Sequence, residues 1–364
     1  GVFVRRVALL TNLPLLLFPG LTIIMLHFCA ERRPDPRPRR RQNFIVSQEA
    51  ELDISQIFIQ MLILFLLIAL GYGSTKAKIL TAESGRHLTN LVLYITNPCT
   101  ILYSVLSGKA MLTVPEVLAL TGIALVFYLV LVGLAHFVPK LLRVSPEETG
   151  VYRFMTVFGN IGFMGFPVVR AIFGQGAVFY ASIFNLFYQL FAYTYGIRQI
   201  SRDPRDARFS PRSLLQPVVI AALVSYIIYL CGVQEAVAGS VPGGILTKLL
   251  GMVDGITSPL CMIITGVGLA QIPLKKVFTN RRLYILSLGK QVLLPVLAYA
   301  LLSPFVTNRL MLGICIIMAA MPIGTMTSLF CTRYDGPVDT ASAGIFLSTL
   351  LSIPAVPLIM ALLF

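Results

Sequence analysis

From residue 54 onward the chain is a succession of long apolar runs cut by short polar stretches. Crossing the hydrocarbon of a bilayer takes about 20 mostly apolar residues. Windows of that kind fall near 54–73, 87–107, 115–138, 151–173, 177–197, 215–233, 246–271, 283–303, 310–331 and 339–363. Within each window the apolar residues are continuous and do not alternate, so the pattern predicts ten transmembrane helices and not barrel strands. Two of the windows are flawed. GNIGFMGFPVV, residues 159–169, places glycine and proline in the middle of the fourth, and AAMPIGTMTSLF does the same in the ninth. Both residue types weaken a helix, and broken backbone is tolerated in a bilayer only where it is buried in protein or lines a cavity.

The breaks recur in register. Shifting the first five windows by 161 positions lays Ile95-Thr96-Asn97-Pro98 on Ile256-Thr257-Ser258-Pro259, and brings Asn160 next to Pro322. Five is odd, so the second set is expected upside down relative to the first, the arrangement of many secondary transporters. The expected organisation is a first five-helix repeat over 53–200, a loop over 201–214 and a second, inverted repeat over 215–364. Interrupted spans at matching positions of inverted repeats point to a binding site at the membrane midplane, where half-helix N-termini favour an anion. Glycines at 159, 162 and 165 also suit close helix packing, which is the competing reading.

Charge adds topology. The net charge is +14, but the basic residues crowd the loops after odd-numbered spans: Lys76 and Lys78, Lys140 and Arg143, the run from Arg202 to Arg212, and Lys275 to Arg282. Positive loops stay in the cytoplasm, so both ends of the ten-helix body are expected outside and the 201–214 loop inside. The same distribution argues against nucleic acid as the partner. Residues 1–52 fit poorly, because an Arg-rich stretch would follow an apolar segment on the wrong side. They are read as a doubtful extension, with the functional body starting near Val46.

Some polar residues inside spans carry candidate chemistry. Asp254 and Lys290 fall near the middle of the seventh and eighth spans, where ionisable groups are costly. They are expected to pair, either to couple ion or proton occupancy to transport or as a structural ion pair; Lys290 could also snorkel. Asn97 and Pro98, with Ser258 and Pro259 as counterparts, are candidates for lining a cavity, against a kink that only shapes packing. Asn185, Tyr188 and Gln189 share one face of the fifth helix and could bond either substrate or neighbouring helices. Arg170, near the outer end of the fourth span, suits attracting an anion or simple anchoring. The six cysteines and three histidines show no metal-ligand spacing, and no nucleotide-binding or hydrolase motif occurs. No cofactor, metal or catalytic residue is expected, and the chain reads as a carrier and not an enzyme.

The run LVLYITNPCTIL, the long stretch GNIGFMGFPVVRAIFGQGAVFYASIFNLFYQLFAYTYGI and AAMPIGTMTSLF together resemble the auxin efflux carrier family over about residues 53–364. The resemblance implies an all-α membrane fold of two inverted five-helix repeats, similar to bile-acid:sodium symporters and sodium/proton antiporters, whose fourth and ninth helices cross at the substrate site. Carried onto this chain, that site is Gly159, Asn160, Gly162 and Pro167 with Pro322, Gly324 and Thr325, and Asn160 is the residue expected to touch substrate. The short central loop is similar to the prokaryotic members assigned to malate, malonate and related carboxylates. The resulting expectation is an inner-membrane carrier of a small organic anion, driven by H+, Na+ or neither, and a homodimer. Two other expectations stay open: an ion-coupled carrier of an amino acid or bile-acid-like solute, and a receptor that binds without translocating.

Overall fold

A computed structural model describes residues 54–107, 111–201, 216–272 and 280–363. The doubted N-terminal segment and most of the 201–214 loop lie outside the described residues. Helices occupy all ten expected windows, and among the described residues the β structure is limited to one isolated bridge.

Eight of the windows are single rods. They are α1 (Ile54–Lys76), α2 (Ala82–Leu91 continued by Val92–Thr96 and Asn97–Ser107), α3 (Val114–Leu141) and α5 (Ala177–Phe191 continued by Ala192–Gly196 and Ile197–Ile200). In the second half they are α6 (Pro217–Cys231), α7 (Val241–Ala270), α8 (Arg281–Leu302) and α10 (Val338–Leu363). The other two are interrupted: α4 is Pro146–Val157 and then Ile161–Phe173, and α9 is Arg309–Ala320 and then Met326–Arg333. Among the described residues, α1 (over Phe58–Lys76), α3, α7, α8 and α10 are individually long and apolar enough to cross a membrane. Their outer faces carry exposed Leu62, Leu66, Val126, Phe137, Met252 and Leu297, the surface expected where the neighbour is lipid.

Helix ends are set by ordinary chemistry. Thr113 and Glu116 form a capping box at the start of α3, with the Thr113 N–H donating to Glu116 Oε2 at 2.7 Å. Asn308 caps α9 by accepting from the Leu310 and Met311 amides at 3.0 and 3.2 Å, and its own Nδ2 donates to Glu116 Oε1 at 2.7 Å, joining the starts of α3 and α9. Inside the helices, wide i→i−5 turns occur at Val92–Thr96, Ile161–Gly165, Ala192–Gly196 and Gly289–Leu293. Three of them end two residues before a proline, Pro98, Pro167 or Pro295. A proline ring collides with the carbonyl four residues back and gives it no donor. Widening the turn just ahead relieves the collision and keeps the chain helical.

Packing in the second half repeats that in the first. The pairing of α1 with α7 is matched by α6 with α2; α3 packs on the first part of α4 and on α5, as α8 packs on the first part of α9 and on α10. The α1–α7 contact is close and runs parallel. Gly71 lies against the Ile263 carbonyl, Gly266 against the Ile68 carbonyl and Tyr72 amide, and Lys76 Nζ donates to the Ala270 carbonyl at 3.0 Å. A Cβ at Gly266 would sit 2.0 Å from the Ile68 oxygen, a collision with rigid backbone.

Gly266→Ala is therefore expected to lower the thermal unfolding temperature in detergent, by the ~1–3 kcal/mol typical of overpacking. Gly268→Ala on the same helix, where a Cβ meets nothing within 4 Å, is expected to be neutral. Equal unfolding temperatures for the two variants would contradict this contact.

Candidate functional site

The breaks in α4 and α9 meet. Gly159 and Ile323 form an antiparallel bridge, in which the Asn160 N–H donates to the Pro322 carbonyl at 2.7 Å and the Gly324 N–H to the Phe158 carbonyl at 3.0 Å. Each interruption thus supplies hydrogen bonds the other lacks. The approach is tight enough to require glycine: a Cβ on Gly324 would lie 2.9 Å from the Gly159 oxygen and 3.2 Å from the Tyr188 hydroxyl. Two neighbours complete the crossing. The Ile323 N–H donates to Ser348 Oγ of α10 at 3.0 Å, and Gln291 Nε2 of α8 donates to the Ser348 carbonyl.

Beyond each break a helix starts afresh. In α4 the Met164 and Gly165 amides both return to the Asn160 carbonyl, at 3.1 and 3.0 Å, whereas the Gly162 and Phe163 amides have no backbone acceptor among the described residues. In α9 the Thr327 amide returns to the Gly324 carbonyl at 3.0 Å. Two helix N-termini, each with unpaired N–H groups and a partial positive charge, therefore converge where the two interrupted helices cross.

Most of the expected site residues gather here. Gly159, Asn160, Pro167, Pro322 and Gly324 are buried, and Gly162 and Thr325 half-buried. Asn160 is 3% exposed, and its side-chain Nδ2 has no acceptor among the described residues. Asn97 of α2 lies beside Gly162, its Oδ1 likewise without a partner. From α5, Tyr188 stands edge-on to the Phe158 ring at 5.3 Å. Asn185 and Gln189, on the same face, are buried with one unpartnered polar atom each. A buried amide without its hydrogen bond costs on the order of 1–3 kcal/mol, so this cluster of polar groups is an expensive one to keep.

Three expectations need correction. Asp254 does not pair with Lys290. Its Oδ2 receives Arg170 Nη1 at 2.8 Å, its Oδ1 faces Gln175 Nε2 at 3.3 Å, and it is 1% exposed. Lys290 Nζ donates instead to the Thr156 carbonyl at 2.8 Å. Sequence distance misled here, because the fold places the C-terminal end of α4 on α7 and turns α8 toward the N-terminal part of α4. Arg170 is accordingly neither a free attractor nor a surface anchor but the counter-ion of Asp254. Nor do Ser258 and Pro259 mirror Asn97 and Pro98: Pro259 is exposed and Ser258 half-buried, and it is Thr257 that is buried, accepting from Thr100 of α2 at 2.9 Å. Ser348, Gln291 and Gln175 were not anticipated. Gln175 falls just beyond the fourth apolar run, and Gln291 and Ser348 are polar residues inside the eighth and tenth, a weak signal that nothing in the sequence ties to the breaks.

Among the described residues no disulfide forms and no cluster of potential metal ligands occurs. The family model for membrane transport proteins matches residues 56–211 and again 207–360. The chain belongs to the auxin efflux carrier family. Curated relatives include an uncharacterized transporter of Methanocaldococcus jannaschii, 26% identical over 304 residues, which cover 82% of this chain and 96% of the relative. An uncharacterized transporter of Methanothermobacter thermautotrophicus is 25% identical over 306 residues, 82% of this chain and 95% of the relative. The protein is thus a multi-pass membrane transporter, in keeping with its lack of enzyme motifs.

Removing Arg170 strands a buried carboxylate, whereas removing both partners does not. Arg170→Ala is expected to lower the unfolding temperature more than Arg170→Ala combined with Asp254→Asn, with a coupling energy of about 1–3 kcal/mol in the double-mutant cycle. Additive effects would show that the pair contributes nothing as a pair.

Proposed function

We propose that this carrier moves a small organic anion, a mono- or dicarboxylate such as malate or malonate, across the cell membrane by alternating access around the α4–α9 crossing. The observation that carries the reading is the convergence of two helix N-termini on a point where Asn160 keeps a buried, unpartnered amide donor. Fixed N–H dipoles in a water-poor site hold a carboxylate without bringing in a mobile cation. Asn160 orients the bound group, while Asn97, Asn185, Tyr188 and Gln189 offer neutral polar contacts for the rest of the solute. The antiparallel bridge between the breaks supports an inverted repeat. So does the parallel run of α1 with α7, since α7 reverses α6 and α6 therefore opposes α1. With the basic loops inside, both ends of the ten-helix body face outward and the 201–214 loop faces the cytoplasm. A homodimer completes the assembly.

Coupling to H+ or Na+ is assigned to Asp254. A proton on its carboxyl would release Arg170, the one charged contact joining the second part of α4 to α7 among the described residues.

The test is counterflow of radiolabelled malate in proteoliposomes, with malonate, pyruvate, succinate and neutral amino acids as competitors. Carboxylates are expected to compete and amino acids not. Loss of one hydrogen bond to a buried charge predicts at least a tenfold fall in flux for Asn160→Ala, roughly the 1.5–3 kcal/mol of such a bond. Asp254→Asn is expected to abolish any stimulation by a pH or sodium gradient. Normal malate flux through folded Asn160→Ala protein would remove Asn160 from the site. Saturable malate binding without counterflow would make the protein a receptor.

A further inference from the structure

In an unbroken α4 the Thr156 carbonyl would accept the Asn160 N–H, four residues on. The break diverts that N–H to the Pro322 carbonyl at 2.7 Å. The donor that replaces it is a side chain, Lys290 Nζ, at 2.8 Å. Lys290 is 6% exposed and projects from the widened turn Gly289–Leu293 of α8, and no carboxylate lies within ion-pair distance of it among the described residues. A lysine buried on these terms is expensive, and what it faces is the C-terminal, negative pole of the first part of α4.

That placement upsets an otherwise even balance. Four half-helix poles meet at the crossing: two N-termini, at Ile161 and Met326, and two C-termini, at Val157 and Ala320. Left alone, the partial charges of roughly half a unit at each pole sum to nothing. In its protonated form Lys290 adds a positive charge at one of the negative poles. Among the described residues the C-terminus of the first part of α9 receives no equivalent. The Gly324 N–H that Ala320 would have received goes to Phe158, and the position matching Lys290 in α3 is Leu129, which is 52% exposed and faces outward.

We infer that Lys290 is the residue that sets charge selectivity: by capping the first part of α4 through Thr156 it leaves the crossing net positive, so that the site takes an anion in preference to a neutral or cationic solute of the same shape. Lys290 is a positioning residue in this account, since it acts through the Thr156 carbonyl and touches no solute. The inference rests on the anion-carrier reading. The neighbouring residue strengthens the geometry. Gln291 reaches the Ser348 carbonyl while Ser348 Oγ takes the Ile323 N–H, so one turn of α8 holds both arms of the crossing and fixes Lys290 against the α4 pole.

The experiment compares an acid with its uncharged isostere. Thermal stabilisation of the purified full chain is measured against malate, malonate and pyruvate and against their amides, and the ratio of half-maximal concentrations is the readout. Wild type is expected to prefer the acids. Lys290→Gln keeps a donor and loses the charge, and its preference is expected to fall by about tenfold, the scale of a buried charge at a helix end. Lys290→Arg keeps the charge and is expected to retain the wild-type ratio. A merely structural lysine would lower the unfolding temperature of both variants and leave the ratio alone, and an unchanged ratio in Lys290→Gln overturns the inference while the anion-carrier reading stands. A wild-type protein that takes the amides as readily as the acids overturns both. That arm needs no variant, so the inference stays open to refutation if a substitution prevents folding.

Discussion

The interruptions of α4 and α9 depend on one exchange of hydrogen bonds: Asn160 N–H to Pro322 C=O and Gly324 N–H to Phe158 C=O. A helix interrupted in the bilayer interior leaves several donors and acceptors with no water to receive them. One such break would be a defect. Two breaks placed face to face and antiparallel supply part of each other's missing partners, and the remainder are left as unpaired N–H groups at fresh helix N-termini. The cost of breaking α4 is met by breaking α9, which is why neither interruption makes sense alone. It also explains the glycine at position 324, where the two backbones approach too closely for any side chain.

The neighbours of the crossing answer the same backbone problem. Ser348 takes the Ile323 amide, Lys290 takes the Thr156 carbonyl, and α8, carrying Lys290, opens into a wide turn ahead of Pro295. The same device, a wide turn two residues ahead of a proline, shapes α2 at Asn97-Pro98 and α4 before Pro167. Proline in these helices therefore does more than kink them. It marks where the helix widens, and all three of these widened turns lie at the crossing: Ile161–Gly165 within it, Val92–Thr96 leading to Asn97, next to Gly162, and Gly289–Leu293 carrying Lys290 and Gln291.

The sequence showed much of this because the bilayer enforces strong rules. Among the described residues each of the ten continuous apolar runs holds a helix, and glycine and proline in the middle of two runs located both breaks to within a residue or two. The family resemblance then named Gly159, Asn160, Gly162, Pro322 and Gly324, which the structure brings to one place. What the sequence misassigned were pairings between side chains. Asp254 and Lys290 looked like natural partners as opposite charges on consecutive helices, yet consecutive helices share no fixed rotation, and each side chain found a partner on α4. The repeat alignment failed in the same way at Pro259. It equated positions along the helix, but α7 presents Thr257 inward and Pro259 outward, so equal position did not mean equal facing. Period and breakage are legible from one chain; the azimuth of a helix is set by its neighbours.

The distribution of bonds also says where the molecule can move at least cost. The crossing is tied internally by backbone bonds and held to α8 and α10 by Lys290, Gln291 and Ser348. Toward α2 and α7 its polar ties are side-chain contacts at the far end of α4: Arg170 to Asp254, and Gln175 to Asp254 and the Thr100 carbonyl at 3.3 and 3.5 Å. Backbone exchange between two breaks cannot be undone without exposing orphan groups to a medium that offers no substitutes, whereas an ion pair can be undone by a proton or by water. A change of access that carries the crossing together with α8 and α10 therefore costs one ion pair and a few weak bonds. One that splits the crossing loses its backbone pairing altogether, and under the proposed alternating-access mechanism the relative sizes of those costs favour movement along the α4–α7 boundary.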